Sequence, residues 1–191
     1  MKSTTERLFS AAVAALRGDA VVAYPTDTLF GLGVRADSSS AVKALFQAKD
    51  RPEGSPVSVL FSSTEELEPF VVLRDQDRQA VRERLPGPYT LLLPASQHAR
   101  ETLALELISP RGLLGVRIPQ HEGARELARR AGPITSTSAN RHGAPAGTSM
   151  PAIRKVFGDR VAVYLDLPPS PSGTPSTIID LSGARPRVIS R

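Results

Sequence analysis

The sequence predicts an α/β fold: a mixed, twisted sheet with helices on its faces. Three observations lead there. Short apolar strand candidates outnumber long amphipathic helices. The two kinds of segment are interspersed along the chain, and some of the strands are expected to pair antiparallel. Defined turns separate them, built from 17 prolines and 14 glycines. A chain of 191 residues and 20.4 kDa suits one domain spanning 1–191.

The elements follow in order. Residues 3–16 read as a helix, with Ser3 and Glu6 as a capping box and Leu8, Phe9, Ala12, Val13 and Leu16 on one stripe. Gly18-Asp19 stops it, and residues 20–23 form a short strand. Residues 24–37 are expected to be loop. Residues 38–48 form the next helix, with Val42, Leu45 and Phe46 inward. A strand at 57–61 precedes a short helix capped by Ser63 with Glu66. Residues 74–85 are a polar surface helix anchored by Val81 and Leu85, broken by Pro86-Gly87-Pro88. Strands at 89–93 and 114–118, a helix at 121–131 and a strand at 134–137 come next. A short helix at 151–157 tolerates Pro151 in its first turn. Strands at 161–165, 176–181 and 187–190 close the chain. Between the first two of these, residues 168–175 are rich in Pro, Ser and Gly and read as a flexible connector.

Composition removes several classes of function. No cysteine is present, so disulfides, thiolate nucleophiles and cysteine metal sites are excluded. His98, His121 and His142 lack metal-ligand spacing, which argues against catalytic zinc. No apolar run is long enough to span a membrane, and no signal peptide precedes Glu6, so a cytoplasmic protein without membrane contact is expected. The net charge is +5 and Lys2, Lys43, Lys49 and Lys155 are the only lysines. Arginine carries the basic charge, which suits fixed contacts with carboxylate or phosphate and equally fits a codon bias.

Four polar groupings can carry chemistry. Thr26, Asp27 and Thr28 at a strand end can hold a small polar ligand, or form a turn in which the aspartate bonds its own backbone. Gly31 and Gly33 allow close backbone approach, but Gly31-Leu32-Gly33 is neither a dinucleotide fingerprint nor a phosphate loop. Lys49 and Arg51 can clamp phosphates, or simply end a helix where cations are favoured. Ser136-Thr137-Ser138-Ala139-Asn140 matches the hydrogen-bonding inventory of a nucleotide site. Arg117 lies inside an apolar strand, where it needs an internal partner or a ligand carboxylate. No Ser-His-acid arrangement is visible, so positioning and charge stabilisation are favoured over covalent catalysis.

Six ordered blocks organise these groupings: YPTDTLFGLG at 24–33, KDRPEGSP at 49–56, PGPYTLLLP at 86–94, GVRIP at 115–119, STSANRHGAP at 136–145 and PSTIIDL at 175–181. Together they resemble the YrdC-like threonylcarbamoyl-AMP synthase family in its short, single-domain form. The resemblance implies an open twisted sheet around a concave, positively charged cavity. It implies an ATP-dependent nucleotidyltransferase that converts L-threonine, bicarbonate and ATP to threonylcarbamoyl-AMP and pyrophosphate for tRNA threonylcarbamoyladenosine formation. Mg²⁺ is expected with ATP, and no zinc, haem, flavin or nicotinamide. Implied partners are a downstream threonylcarbamoyl transferase complex and tRNA or double-stranded RNA.

Carried over by position, Lys49 and Arg51 are the implied catalytic pair around the ATP phosphates. Thr28, Arg117, Ser136 and Ser176 are implied on the threonine side. Ser55, Ser138, Asn140 and Arg191 are implied at the nucleotide. Departures from the family pattern stand at Ser55 and Leu60, where some members carry asparagine and histidine. Others stand at His142-Gly143 after the Ser-x-Asn block and at Pro169-Ser170, where a glycine pair is expected. The C-terminal domain of the longer family form is expected to be absent. Two alternatives remain: an RNA-binding relative without synthase activity, and a carbamoyl-adenylate enzyme of another pathway, such as hydrogenase maturation.

Overall fold

A computed structural model describes residues 3–52 and 54–190. Its helices are α1 (Thr4–Arg17), α2 (Ser39–Ala48), α3 (Thr64–Leu67), α4 (Asp75–Arg84), α5 (Gln97–Thr102), α6 (Glu122–Ala131) and α7 (Met150–Phe157). Its strands are β1 (Val22–Tyr24), β2 (Gly31–Gly33), β3 (Ser58–Leu60), β4 (Tyr89–Pro94), β5 (Leu113–Arg117), β6 (Ile134–Ser138), β7 (Val163–Tyr164), β8 (Thr177–Asp180) and β9 (Arg187–Ile189). Six helices begin where a side chain accepts an otherwise orphaned backbone N–H: Ser3, Ser38, Ser63, Ser96, His121 and Ser149.

The strands form one open sheet in the order β7-β1-β2-β6-β3-β5-β4-β8-β9. Pairing is parallel for β1 with β7, β3 with β5 and β4 with β8, and antiparallel elsewhere, so the sheet is mixed as expected. Successive strand residues face opposite sides, and the packing follows that rule. Val22, Tyr24, Leu60 and Ile134 join Phe9, Ala12 and Leu16 of α1 and Ala124, Leu127 and Ala128 of α6 in one apolar cluster. Their neighbours Ala23, Leu32, Val59, Leu91 and Val116 face the other way into the larger core, with Val42, Leu45 and Phe46 of α2 and Ile153 of α7.

Three expectations need correction or addition. Residues 31–33 are not loop: they form β2, paired with β1 and β6 in the sheet interior. Glycine flanking a single leucine hides the strand from propensity, yet glycine is required there. A Cβ on Gly33 would sit 2.7 Å from the Thr135 carbonyl oxygen and 2.8 Å from the Tyr24 ring. That ring reaches across β2 from Gly31 to Gly33, and its hydroxyl donates to the same carbonyl at 2.8 Å. The second correction concerns residues 168–175, which are an ordered strap rather than a flexible connector. The Ser172 and Gly173 amides donate to the carbonyls of Asp27 and Thr28 at 3.2 and 2.8 Å. Finally, α5 was not anticipated, because its six residues bury only Ala99 and give no stripe to read.

Gly33→Ala is expected to lower the urea midpoint by an amount equivalent to about 1–3 kcal/mol, the usual cost of overpacking a rigid interior. Gly31→Ala, whose added carbon meets the edge of the Tyr24 ring at 3.2 Å, should cost less. Equal midpoints for wild type and Gly33→Ala would show that β2 can move away from Tyr24.

Candidate active site

The side of the sheet that packs on α1 and α6 continues past them, and there small side chains, several of them hydroxyls, replace the large apolar ones at most positions. Cα register places Gly31 opposite Ser138, Ser58 opposite Ser136, Arg117 beside Leu60, and Gly115 opposite Leu92. With Thr90 and Ile178 on the neighbouring strands, these residues other than Leu60 floor a cavity of about 640 Å³. Such a volume suits a small-molecule site. Residues of the 25–30 turn, Gly54, Pro56 and Val57, and most of residues 106–113 form further walls. Arg51, Arg111 and Arg117 line the cavity with one carboxylate, Glu106, while Asp27 and Asp180 pair with Arg117 and Arg111 from behind the lining.

Arg117 ends β5 and is 7% exposed. Its Nη2 donates to Asp27 Oδ1 and Thr28 Oγ1, each at 2.6 Å, and reaches Thr26 Oγ1 at 3.4 Å. Asp27 is therefore the internal partner that a buried guanidinium requires. Thr26 builds the turn: its hydroxyl donates to the Leu29 carbonyl at 2.7 Å and accepts from the Thr28 and Leu29 amides. Turn and ligand site thus coexist in one loop, since Thr26 and Thr28 both line the cavity.

Lys49 caps α2 and is 1% exposed. Its ammonium donates to the Ser138 carbonyl and, at 2.6 Å, to the Asn140 carbonyl, beneath the Ser-x-Asn turn. Lys49 is absent from the cavity lining, whereas Arg51 is part of it. Burial, and then the neighbouring Arg51 charge, bring the Lys49 pKa down to about 7. Arg51 donates from Nη1 to Thr137 Oγ1 at 3.2 Å and from Nη2 to the Pro56 carbonyl at 2.7 Å. Burial lowers its pKa also, and its buried Nε finds no acceptor among the described residues.

The remaining candidates fall on both sides of the wall. Ser136, Ser138 and Ser176 line the cavity. Asn140 does not: its amide donates to the Arg141 and Ala144 carbonyls, and its Oδ1 accepts from Ser138 Oγ. Ser55 donates to the Pro52 carbonyl at 2.8 Å, and it is the flanking Gly54 and Pro56 that reach the lining. Arg191 lies outside the described residues.

Lining residues that sequence reading did not select include Thr90, Ser58 and Arg111. Thr90 is 6% exposed, and its hydroxyl meets Ser176 Oγ at 2.9 Å. Its signal was available, because a threonine before three leucines breaks the apolar run of β4. Arg111 is anchored by Ser182 and by Asp180, a buried carboxylate at the end of β8. Among the described residues no three His, Cys, Asp or Glu side chains gather as a metal cluster. No described helix is long and apolar enough to cross a membrane.

Comparison with known proteins connects this geometry to a family. Residues 14–191 match the Sua5_yciO_yrdC family, described as "Telomere recombination". The chain is 40% identical over 179 residues to a protein of Mycobacterium tuberculosis, covering 93% of this chain and 81% of the other. It is 37% identical over 183 residues to the threonylcarbamoyl-AMP synthase of Chromohalobacter salexigens, covering 95% and 96%. The fold superposes on P. abyssi Sua5 complexed with L-threonine with a TM-score of 0.88 and 30% identity, covering 98% of this chain and 54% of that one. The chain therefore spans little more than half of that solved structure. E. coli YciO shares the fold, with a TM-score of 0.86 at 23% identity over 100% of this chain and 91% of the other. A matched span of nearly the whole chain, together with the shared sheet, means that this protein belongs to the YrdC/Sua5-like family of threonylcarbamoyl-AMP synthases.

Proposed function

We propose that this chain condenses L-threonine with bicarbonate and adenylates the product with ATP, releasing pyrophosphate and threonylcarbamoyl-AMP. The observation that carries this reading is the convergence of Thr26, Thr28 and Arg117 on the floor of an arginine-lined cavity. That donor set matches the carboxylate and hydroxyl of a small amino acid. Threonine, the ligand of the P. abyssi protein, is assigned here to Arg117, Thr28, Ser136 and Ser176.

The threonine amine attacks bicarbonate and loses water to give a carbamate. A carbamate oxygen then attacks the α-phosphorus, and pyrophosphate leaves. The carbamate is labile in water, so holding both reactants in one walled cavity supplies proximity and protects the intermediate. Arg51 offsets charge on the phosphates as the leaving group forms. Lys49 acts on the same end of the site through the turn whose carbonyls it holds. Ser138 lies on the nucleotide side, with Asn140 and Ser55 shaping its loops, and Arg191 follows from family position alone. Mg²⁺ would be carried largely by the nucleotide's phosphates and water, in keeping with a lining that offers Glu106 as its carboxylate. The adenylate then passes to a transferase complex acting on tRNA in the cytoplasm.

Pyrophosphate release is expected to require ATP, bicarbonate and L-threonine together, with the adenylate detected by mass. Release that ignores threonine would overturn the assignment. Thr28→Val keeps the shape of a buried residue and removes one charge-assisted hydrogen bond, worth about 1.5–3 kcal/mol. It should raise the threonine KM about 10- to 100-fold with the ATP KM unchanged, and an unaltered threonine KM would remove Thr28 from the site.

Lys49 generates a pH test. Its folded pKa of about 7 lies below the ordinary 10.5. Between those values the unfolded chain holds the proton that the folded chain has lost, so stability rises with pH across the window. Lys49→Met should flatten that rise in urea midpoints taken from pH 7 to 10, while lowering ATP-dependent turnover. Parallel pH curves for the two proteins would show that the buried amine does not titrate there.

A further inference from the structure

Between β7 and β8 the chain must cross the sheet. Seven inter-strand steps separate these strands in the sheet order, about 34 Å at the usual spacing. The twelve linking residues, 165–176, reach only about 43 Å when drawn out. The link carries four prolines, Pro168, Pro169, Pro171 and Pro175. On its way it touches the threonine side of the site twice. Ser172 and Gly173 bond the carbonyls of Asp27 and Thr28, and Ser176 enters the cavity lining.

One side chain of another element holds the strap from the far side. His121 is 1% exposed. Its Nδ1 accepts the Ala124 amide at 3.2 Å and so caps α6. A ring nitrogen that accepts carries no proton, so the neutral ring bears its hydrogen on Nε2. That N–H donates to the Pro169 carbonyl at 3.0 Å. Beside it, Leu167 packs so closely on Gly123 that a Cβ there would lie 2.7 Å from Leu167 Cδ1. Burial lowers the His121 pKa, which favours the neutral tautomer that this geometry needs.

We propose that His121 is a positioning residue of the amino-acid site, latching the 165–176 strap to α6 so that the strap holds the Asp27–Thr28 backbone and Ser176 in place. The latch touches no substrate. It acts through Pro169, Ser172 and Gly173, and its link to threonine rests on the function proposed above.

The two roles of the imidazole can be separated by substitution. Asparagine at a helix start supplies the capping acceptor but falls short of Pro169, whereas glutamine carries its amide nitrogen to the place of Nε2. His121→Asn should keep the urea midpoint and the protection of the Leu127 amide near wild type. Hydrogen exchange at the Ser172 and Gly173 amides should speed up about tenfold, the scale of one lost hydrogen bond. The threonine KM should rise about tenfold, with kcat and the ATP KM within twofold, and His121→Gln should restore both readouts. Wild-type exchange at Ser172 and Gly173 in His121→Asn would overturn the latch, whatever the protein's substrate. Faster exchange with an unmoved threonine KM would overturn the positioning role. Should the wild-type protein not use threonine at all, the function proposed above fails, while the exchange measurement still decides the latch.

Discussion

A guanidinium buried in a sheet is the condition that the site has to meet. Left unpaired, Arg117 would leave an uncompensated charge in the interior, a defect of about 3–5 kcal/mol. Asp27 removes that cost, but it sits 90 positions away on a different element, so the pairing dictates where the Pro25–Phe30 turn lies. Thr26 and Thr28 then fall against the same nitrogen. The turn, the charge and the hydroxyls are solved as one arrangement, and the amino-acid end of the cavity is its by-product.

The cavity itself follows from alternation. On one side of the sheet nearly every strand residue is apolar and the core closes over it. On the other, α1 and α6 cover Val22, Tyr24, Leu60 and Ile134, and beyond them the strands present Gly31, Ser138, Ser136, Ser58 and Gly115. Small residues without apolar surface have nothing to gain from a covering helix. A floor lowered by glycine and serine is therefore written into the same period-2 pattern that builds the core. Lys49 supports this floor from below, since its ammonium engages the carbonyls of the turn that ends β6.

Much of this was legible in the chain. Amphipathic stripes and caps gave the long helices within a residue or so, because a stripe on α1 or α2 is decided locally. Most strands were legible for the same reason. The strand at Gly31–Gly33 was not, because its identity depends on the Tyr24 ring and the Thr135 carbonyl, which sequence does not bring together. The strap was misread because Pro, Ser and Gly signal a lack of local preference, whereas its order comes from partners at Asp27, Thr28 and His121. At the site, residue types were more visible than directions. The polar clusters stood out, yet nothing in Lys-x-Arg says that the lysine turns toward two carbonyls while the arginine faces the cavity.

The strap also sets an order of events. Ser172 and Thr28 are 144 positions apart, and a ribosome releases the early turn long before its restraints exist. Domains condense from their amino-terminal parts as synthesis proceeds, and contacts of such high sequence separation form late. A nascent chain stopped before residue 165 can bury α1 against β1 and pair Asp27 with Arg117, but it has neither strap nor Ser176. The amino-acid end of the cavity is therefore completed only once residues 165–176 have been made, and a chain cut before them would lack both the strap and the part of the core that Leu165, Leu167, Ile179 and Leu181 supply.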